Sequence, residues 1–134
     1  MSQEENLAAI KRLYEAFGRG DVEAILEIVA DDVDWGVDSA GTQGPWYGHR
    51  SNKQEVAQFF ADIAGAVQVE DFTPLAYGTS DDEVFSLVRF GSRSIATGRA
   101  ASMNLHHYFR FSDGKIAYWR GSEDTAQTGE MLAG

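Results

Sequence analysis

Cysteine is absent from the 134-residue chain, which excludes a disulfide framework and any zinc–cysteine site. Proline occurs twice and the charged fraction is an ordinary 24%, so the composition is not that of a disordered segment. Positive charge is scarce. Eleven Lys and Arg stand against 21 Asp and Glu, a formal net charge of −10. A surface this acidic repels phosphate backbones, which argues against nucleic acid and anionic membranes as partners. No stretch approaches the roughly 18 consecutive apolar residues of a membrane span. Glu4, Glu5 and Asn6 precede the first hydrophobes, unlike a secretory signal, so a cytoplasmic protein is expected. What the chain does have is 43% apolar residues, enough for one domain over residues 1–134 with a single core.

The first third reads as helix. Ser2 and Glu5 have capping-box form, and Leu7, Ile10, Tyr14 and Phe17 recur at helical spacing until Gly18 and Gly20 stop them. Asp21 is placed to cap a second helix with Val22, Ile25, Leu26 and Val29 on one face. Asp31, Asp32 and Asp34 are expected to end it as a solvated turn, since nothing in their spacing converges on a metal. A short strand, Val33 to Val37, leads into a loop from Ala40 to Gly48 that carries Trp46 and Tyr47. Two aromatics in a loop fold down over something apolar, either the core or a ligand. Ser51 and Gln54 again have capping-box form, ahead of a third helix marked by Val56, Phe59, Phe60 and Ile63.

After Gly65 the pattern changes to strands: Val67 to Pro74, Glu83 to Ile95, Arg99 to Phe111 and Lys115 to Ser122. Asp113–Gly114 is a strong hairpin signal between the last two. Thr125 to Ala133 forms a short closing helix or a loose end. Helices followed by an antiparallel meander mean an α+β fold.

The strand from Arg99 to Phe111 is the most informative. Side chains alternate between faces, so Met103, Leu105, His107, Phe109 and Phe111 share one face. One imidazole, His107, thus stands among four large apolar residues. It is either a core histidine with one partner or a pocket group, and burial would keep it neutral near pH 7, able to donate and accept. His106 falls on the opposite face with Asn104 and Tyr108, as interface or surface. On the final strand, alternation puts Ala117, Trp119, Gly121 and Glu123 on one face and Ile116, Tyr118, Arg120 and Ser122 on the other. Trp119 either fills the core or stacks on a flat ligand. Glu123 is either exposed or within reach of a pocket mouth.

Several motifs in order resemble the SnoaL-like group of the nuclear transport factor 2 superfamily. They are Gly20–Asp21, Ala30-Asp31-Asp32-Val33-Asp34-Trp35, Gly48-His49-Arg50 before the Phe59–Phe60 helix, and Thr97-Gly98-Arg99. Tyr108-Phe109-Arg110-Phe111, Asp113-Gly114-Lys115-Ile116 and Trp119-Arg120 with Asp124-Thr125 continue the series. The resemblance implies a cone: N-terminal helices packed in a strongly curved antiparallel sheet, with an apolar pocket open at one end. It also implies homodimers paired through the outer sheet face, which would give His106, Tyr108 and Tyr118 a use. Members include ketosteroid isomerase, polyketide cyclases, limonene-epoxide hydrolase, dehydratases and non-catalytic scaffolds.

Matched to the isomerase, the base position falls on Val37 beside Asp38, the tyrosine position on Leu13 beside Tyr14, and the protonated acid on His107. The hydrolase needs an Arg-x-Asp, absent here, and a last-strand acid, where this chain has Gly121. The resulting expectation is an isomerase- or cyclase-type enzyme acting on a carbonyl-bearing or polycyclic hydrophobic ligand. His107 would move the proton, Asp38 or Glu123 would orient it, and Tyr14 would donate to the oxyanion. Trp35, Trp46, Tyr47, Phe59, Met103, Trp119 and Glu123 would contact the substrate. Neither metal nor organic cofactor is required. The alternative is a non-catalytic ligand-binding or dimeric scaffold protein of the same fold.

Overall fold

Residues 2–133 are described by a computed structural model; residues 1 and 134 of the expected domain lie outside the described residues. Helices and strands run in the order α1 (Gln3–Arg19), α2 (Val22–Leu26), β1 (Val29–Val37), β2 (Gly48–Arg50) and α3 (Lys53–Ala66). Then come β3 (Val67–Ser80), β4 (Glu83–Ser94), β5 (Ala100–Ser112), β6 (Lys115–Ser122) and α4 (Thr125–Leu132). The closing segment is therefore helix.

Helix starts follow local chemistry. Ser2 Oγ accepts the Glu5 amide and the Glu5 carboxylate accepts the Ser2 amide, the reciprocal cap expected from sequence. Gly20 ends α1 in the left-handed region at φ 71°, where a side chain would be strained. Asp21 caps α2 through the Ala24 amide. The cap of α3 lies one residue later than expected. Asn52 Oδ1 takes the Glu55 amide at 2.9 Å, while Ser51 gives its own amide to the Glu55 carboxylate.

Helix α2 is also shorter than the apolar spacing suggests. Val29 belongs to β1, because the chain there pairs with β6: Val29 faces Ile116, and the Ile116 amide donates to the Ile28 carbonyl. Sheet pairing overrides the weak helical preference of β-branched residues. Asp31, Asp32 and Asp34 are consequently strand residues of β1 rather than a turn. They point to solvent while Val33, Trp35 and Val37 are buried, and Asp34 is paired with Arg120 at 2.8 Å.

One open, curved sheet has the order β2-β1-β6-β5-β4-β3. Neighbours are antiparallel except β1 and β6, which run parallel, so the sheet is mixed at that side rather than wholly antiparallel. The α+β class stands. Asp113 (φ 50°) and Gly114 (φ 77°) turn the β5–β6 hairpin in the geometry its right-handed twist favours. A bulge follows at once: Arg110 pairs with Tyr118, but Phe111 pairs with Ile116. Ala117 is the extra residue. It rotates Ile116 onto the inner face, fully buried, where strict alternation had put it outside.

Helices α1 and α3 pack on the inner face against β1, β3 and β4. Ile10, Val56, Val84, Val88, Phe109 and Ile116 have no exposed surface and form the floor. Truncating Phe109 to alanine is expected to cost about 3–5 kcal/mol. No described helix is long and apolar enough to cross a membrane.

Candidate functional site

The inward faces of seven elements converge on one cavity. β5 delivers His107 between Leu105 and Phe109, as its alternation requires, while His106 is exposed on the outer face. β4 places Ser86 directly opposite His107 in the strand register. Tyr14 comes from the buried stripe of α1. Trp35 and Trp119, neighbours across the parallel β1–β6 pair, stack at 4.4 Å and 30°. Phe59 of α3 sets its edge on both, at 5.7 and 5.5 Å. Phe17, Phe60, Phe72 and Phe90 complete aromatic walls around a cavity of about 80 Å³.

His107 is the chemical centre of these walls. Its Nδ1 lies 2.7 Å from the Tyr14 hydroxyl, which lies 2.5 Å from Ser86 Oγ. Its Nε2 has no partner among the described residues and is not sealed off. Burial, with a smaller push from His106, lowers the pKa of the ring to about 3, so it is neutral at pH 7. Burial likewise raises the Tyr14 phenol, which stays protonated. Neutral imidazole, phenol and hydroxyl therefore form one buried hydrogen-bonded row. Trp119 presents its edge to the imidazole at 5.2 Å. Gly121 makes room for both rings. A Cβ there would fall 2.5 Å from Trp119 Cζ2 and 3.4 Å from His107 Cδ2.

The loop residues act as a fastened cover. Trp46 is buried and lines the cavity, so the loop closes over that space. Its Nε1 donates to Glu123 at 2.8 Å, the Tyr47 hydroxyl donates to the same carboxylate at 3.0 Å, and Thr128 of α4 donates as well. Glu123 is thus at the cavity wall, but its oxygens are spent on tying loop and helix together. Tyr47 backs this wall without lining the cavity.

Two expected site residues are elsewhere. Asp38 follows the inward Val37 with no register shift to turn it; the β1 irregularity comes earlier, between Val29 and Asp34. Its side chain is 73% exposed and accepts a hydrogen bond from His49 Nε2 at 2.9 Å, with Arg120 at 3.8 Å. The His49 bond first, then the Arg120 charge, hold its carboxyl below the usual carboxylate range. Asp38 therefore neither reaches nor orients His107. Met103 does face inward, but it sits four residues from His107, about 13 Å along the strand. It is buried beside the end covered by α4, where Gln127 accepts the Ser102 amide, and does not line the cavity.

Ser86 is the residue that sequence reading missed. The signal was there: Val84, Ser86, Val88 and Phe90 alternate inward on β4, one polar group among apolar ones, as His107 is on β5. Thr128 was hidden by the undecided closing segment. Trp35 Nε1 and Trp119 Nε1 are buried without an acceptor among the described residues. Among those residues no group of three or more His, Asp or Glu side chains converges as a metal site would require.

The profile of the SnoaL-like domain matches residues 10–119. The chain belongs to the SnoaL-like family. No curated protein matches its sequence. Solved structures similar to this SnoaL-like domain include a nuclear transport factor 2-like protein of unknown function from Burkholderia pseudomallei. It is 23% identical with a TM-score of 0.90, and 100% of each chain is covered. A candidate isomerase from Rhodopseudomonas palustris is 23% identical at TM-score 0.79, covering 98% of this chain and 97% of its own. A candidate SnoaL-like polyketide cyclase from Jannaschia is 12% identical at TM-score 0.82, covering 98% and 93%. At these identities the likeness is one of fold, that of the nuclear transport factor 2-like superfamily.

Proposed function

We propose that this SnoaL-like domain binds a flat apolar ligand bearing a carbonyl and moves a proton beside that carbonyl, with His107 as acid and base. The observation that carries this reading is the free Nε2 of a neutral imidazole at an aromatic-walled cavity, its Nδ1 held by Tyr14. Isomerase and cyclase are also the activities for which two proteins of the same fold are candidates. Cavity size narrows the ligand. The cavity, about 80 Å³, is about half the size of a dry cavity of about 150 Å³ that holds benzene. A large polycycle is therefore excluded, and a small ring system keeps part of its surface at the open mouth.

Trp35, Phe59 and Trp119 would stack on the ligand, and Trp46, fastened by Glu123 and Tyr47, would keep water out. Tyr14 would hold His107 rather than donate to an oxyanion, since its hydroxyl is committed to Ser86 and the ring. A ring with a pKa near 3 is a weak base until the substrate supplies charge. An enolate about 4 Å away stabilises an imidazolium by about 4 kcal/mol at an effective dielectric near 20, or about three pKa units. That restores His107 to a working range during the reaction.

The same low pKa favours a second reading, binding without turnover, in which Nε2–H simply donates to a ligand oxygen. A homodimer through the outer sheet face is part of the proposal, supported by Phe85, 44% exposed there and packed against Tyr108 at 5.2 Å.

Thermal melts with 1-tetralone and its oxygen-free analogue tetralin test the binding step. A ligand at 100 times its dissociation constant stabilises by about 2.7 kcal/mol. The ketone is expected to stabilise more than tetralin, and His107→Gln to remove that preference. Equal response to both, or to neither, would contradict the reading.

A further inference from the structure

The Tyr14 hydroxyl has one hydrogen and two neighbours, Ser86 Oγ at 2.5 Å and His107 Nδ1 at 2.7 Å, so it serves one at a time. The choice gives His107 opposite chemistry. When Tyr14 donates to Nδ1, Ser86 donates to Tyr14 in turn, and the ring's own hydrogen sits on Nε2. The cavity then meets an N–H donor. When Tyr14 donates to Ser86, the ring hydrogen sits on Nδ1 and is given to Tyr14. The cavity then meets the bare Nε2 lone pair. A protonated ring carries hydrogens on both nitrogens, so it also requires Tyr14 to turn toward Ser86. Ser86 is buried, and Tyr14 is its side-chain partner.

We propose that Ser86 is a positioning residue: by accepting the Tyr14 hydroxyl, it permits the base form of His107. This rests on the reading of His107 as acid and base. In the reaction, a ligand C–H bond beside the carbonyl breaks. The proton goes to Nε2, and the electron pair goes to the carbonyl oxygen as an enolate. Nδ1–H donates to Tyr14, Tyr14 donates to Ser86, and the charged ring faces the enolate. Returning the Nε2 proton to the same carbon, or to the far carbon where a conjugated double bond makes the enolate a dienolate, restores the neutral row. With alanine at position 86, nothing accepts the Tyr14 hydrogen once the ring holds its own on Nδ1. The donor form survives, because Tyr14 still gives its hydrogen to Nδ1. Ser86 therefore separates the two roles of one imidazole.

Two bicyclic probes of similar size read the two forms. The carbonyl of 1-tetralone only accepts, so it selects Nε2–H; the hydroxyl of 2-naphthol donates and selects the lone pair. Ser86→Ala is expected to weaken 2-naphthol about tenfold, the equivalent of one hydrogen bond of about 1.4 kcal/mol, and to leave 1-tetralone unchanged. Ser86→Thr, which keeps the hydroxyl, is expected to restore 2-naphthol binding. Equal weakening of both probes would assign Ser86 to packing and overturn the proposal, as would an unchanged affinity for 2-naphthol. Failure of both probes to bind the wild-type protein would instead remove the cavity reading, and the relay with it.

Discussion

Lowering the pH from 7 to 4.5 is expected to destabilise the protein through His107 alone, over and above its carboxylates. In the unfolded chain this imidazole titrates near 6.5, and in the folded protein burial holds it to about 3. Above pH 6.5 the ring is neutral in both states and contributes nothing. Between 6.5 and 3 the unfolded chain binds a proton that the native state refuses, so stability falls as the pH falls. Each unit in that window costs about 1.4 kcal/mol, which makes about 3 kcal/mol by pH 4.5. The assay is urea denaturation of the wild-type protein and His107→Gln at both pH values. Glutamine keeps a polar group beside Tyr14 but cannot titrate. The carboxylates common to both proteins cancel in the difference. The wild-type protein should lose about 3 kcal/mol more than the variant on acidification. Parallel losses would mean that the imidazole titrates as it does in water, and the buried neutral row would be refuted.

Gly121→Ala is expected to push Trp119 out of its stack, because the new methyl meets the indole at 2.5 Å; a loss of about 1–3 kcal/mol with shifted tryptophan emission checks this. Glu123→Ala strips the acceptor from Trp46 and Tyr47, and amide hydrogen exchange should quicken over residues 39–47 while α1 is unaffected. Asp38→Asn lies outside the cavity and should leave 1-tetralone affinity as it is, with weaker binding as the contrary result. Analytical ultracentrifugation should find a dimer that Phe85→Arg dissociates; a monomeric wild-type protein would refute the outer-face interface.

Much of the architecture could be read from residue order because local and tertiary signals agreed. The Ser2–Glu5 and Asp21 caps, the Asp113–Gly114 turn and the inward file of β5 all follow from short-range chemistry that packing reinforces. Failures came where a distant partner decided. Val29 left its helix because β6 offered it a strand, and Ile116 turned inward because a bulge inserted Ala117. Asp38 illustrates the same limit within the site. A bulge would have aimed it at His107, but β1 keeps its register there and sends it to His49 instead. His107 itself was legible, because one imidazole in an apolar file stands out under period-two alternation. Its partners were not. That Tyr14 and Ser86 meet it is fixed by how α1 lies across β4 and β5, which no single segment encodes.

The central claim is that His107 moves a proton to and from carbon beside a bound carbonyl. Proton NMR of saturating 1-tetralone in heavy water measures that step directly, because each passage of the bound complex from the donor form to the base form of His107 lets abstraction and return replace the hydrogens next to the carbonyl with deuterium. Wild-type protein is expected to wash them out and His107→Gln to leave them in place. A bound ketone that keeps its hydrogens with the wild-type protein, or loses them equally fast with the variant, would contradict it.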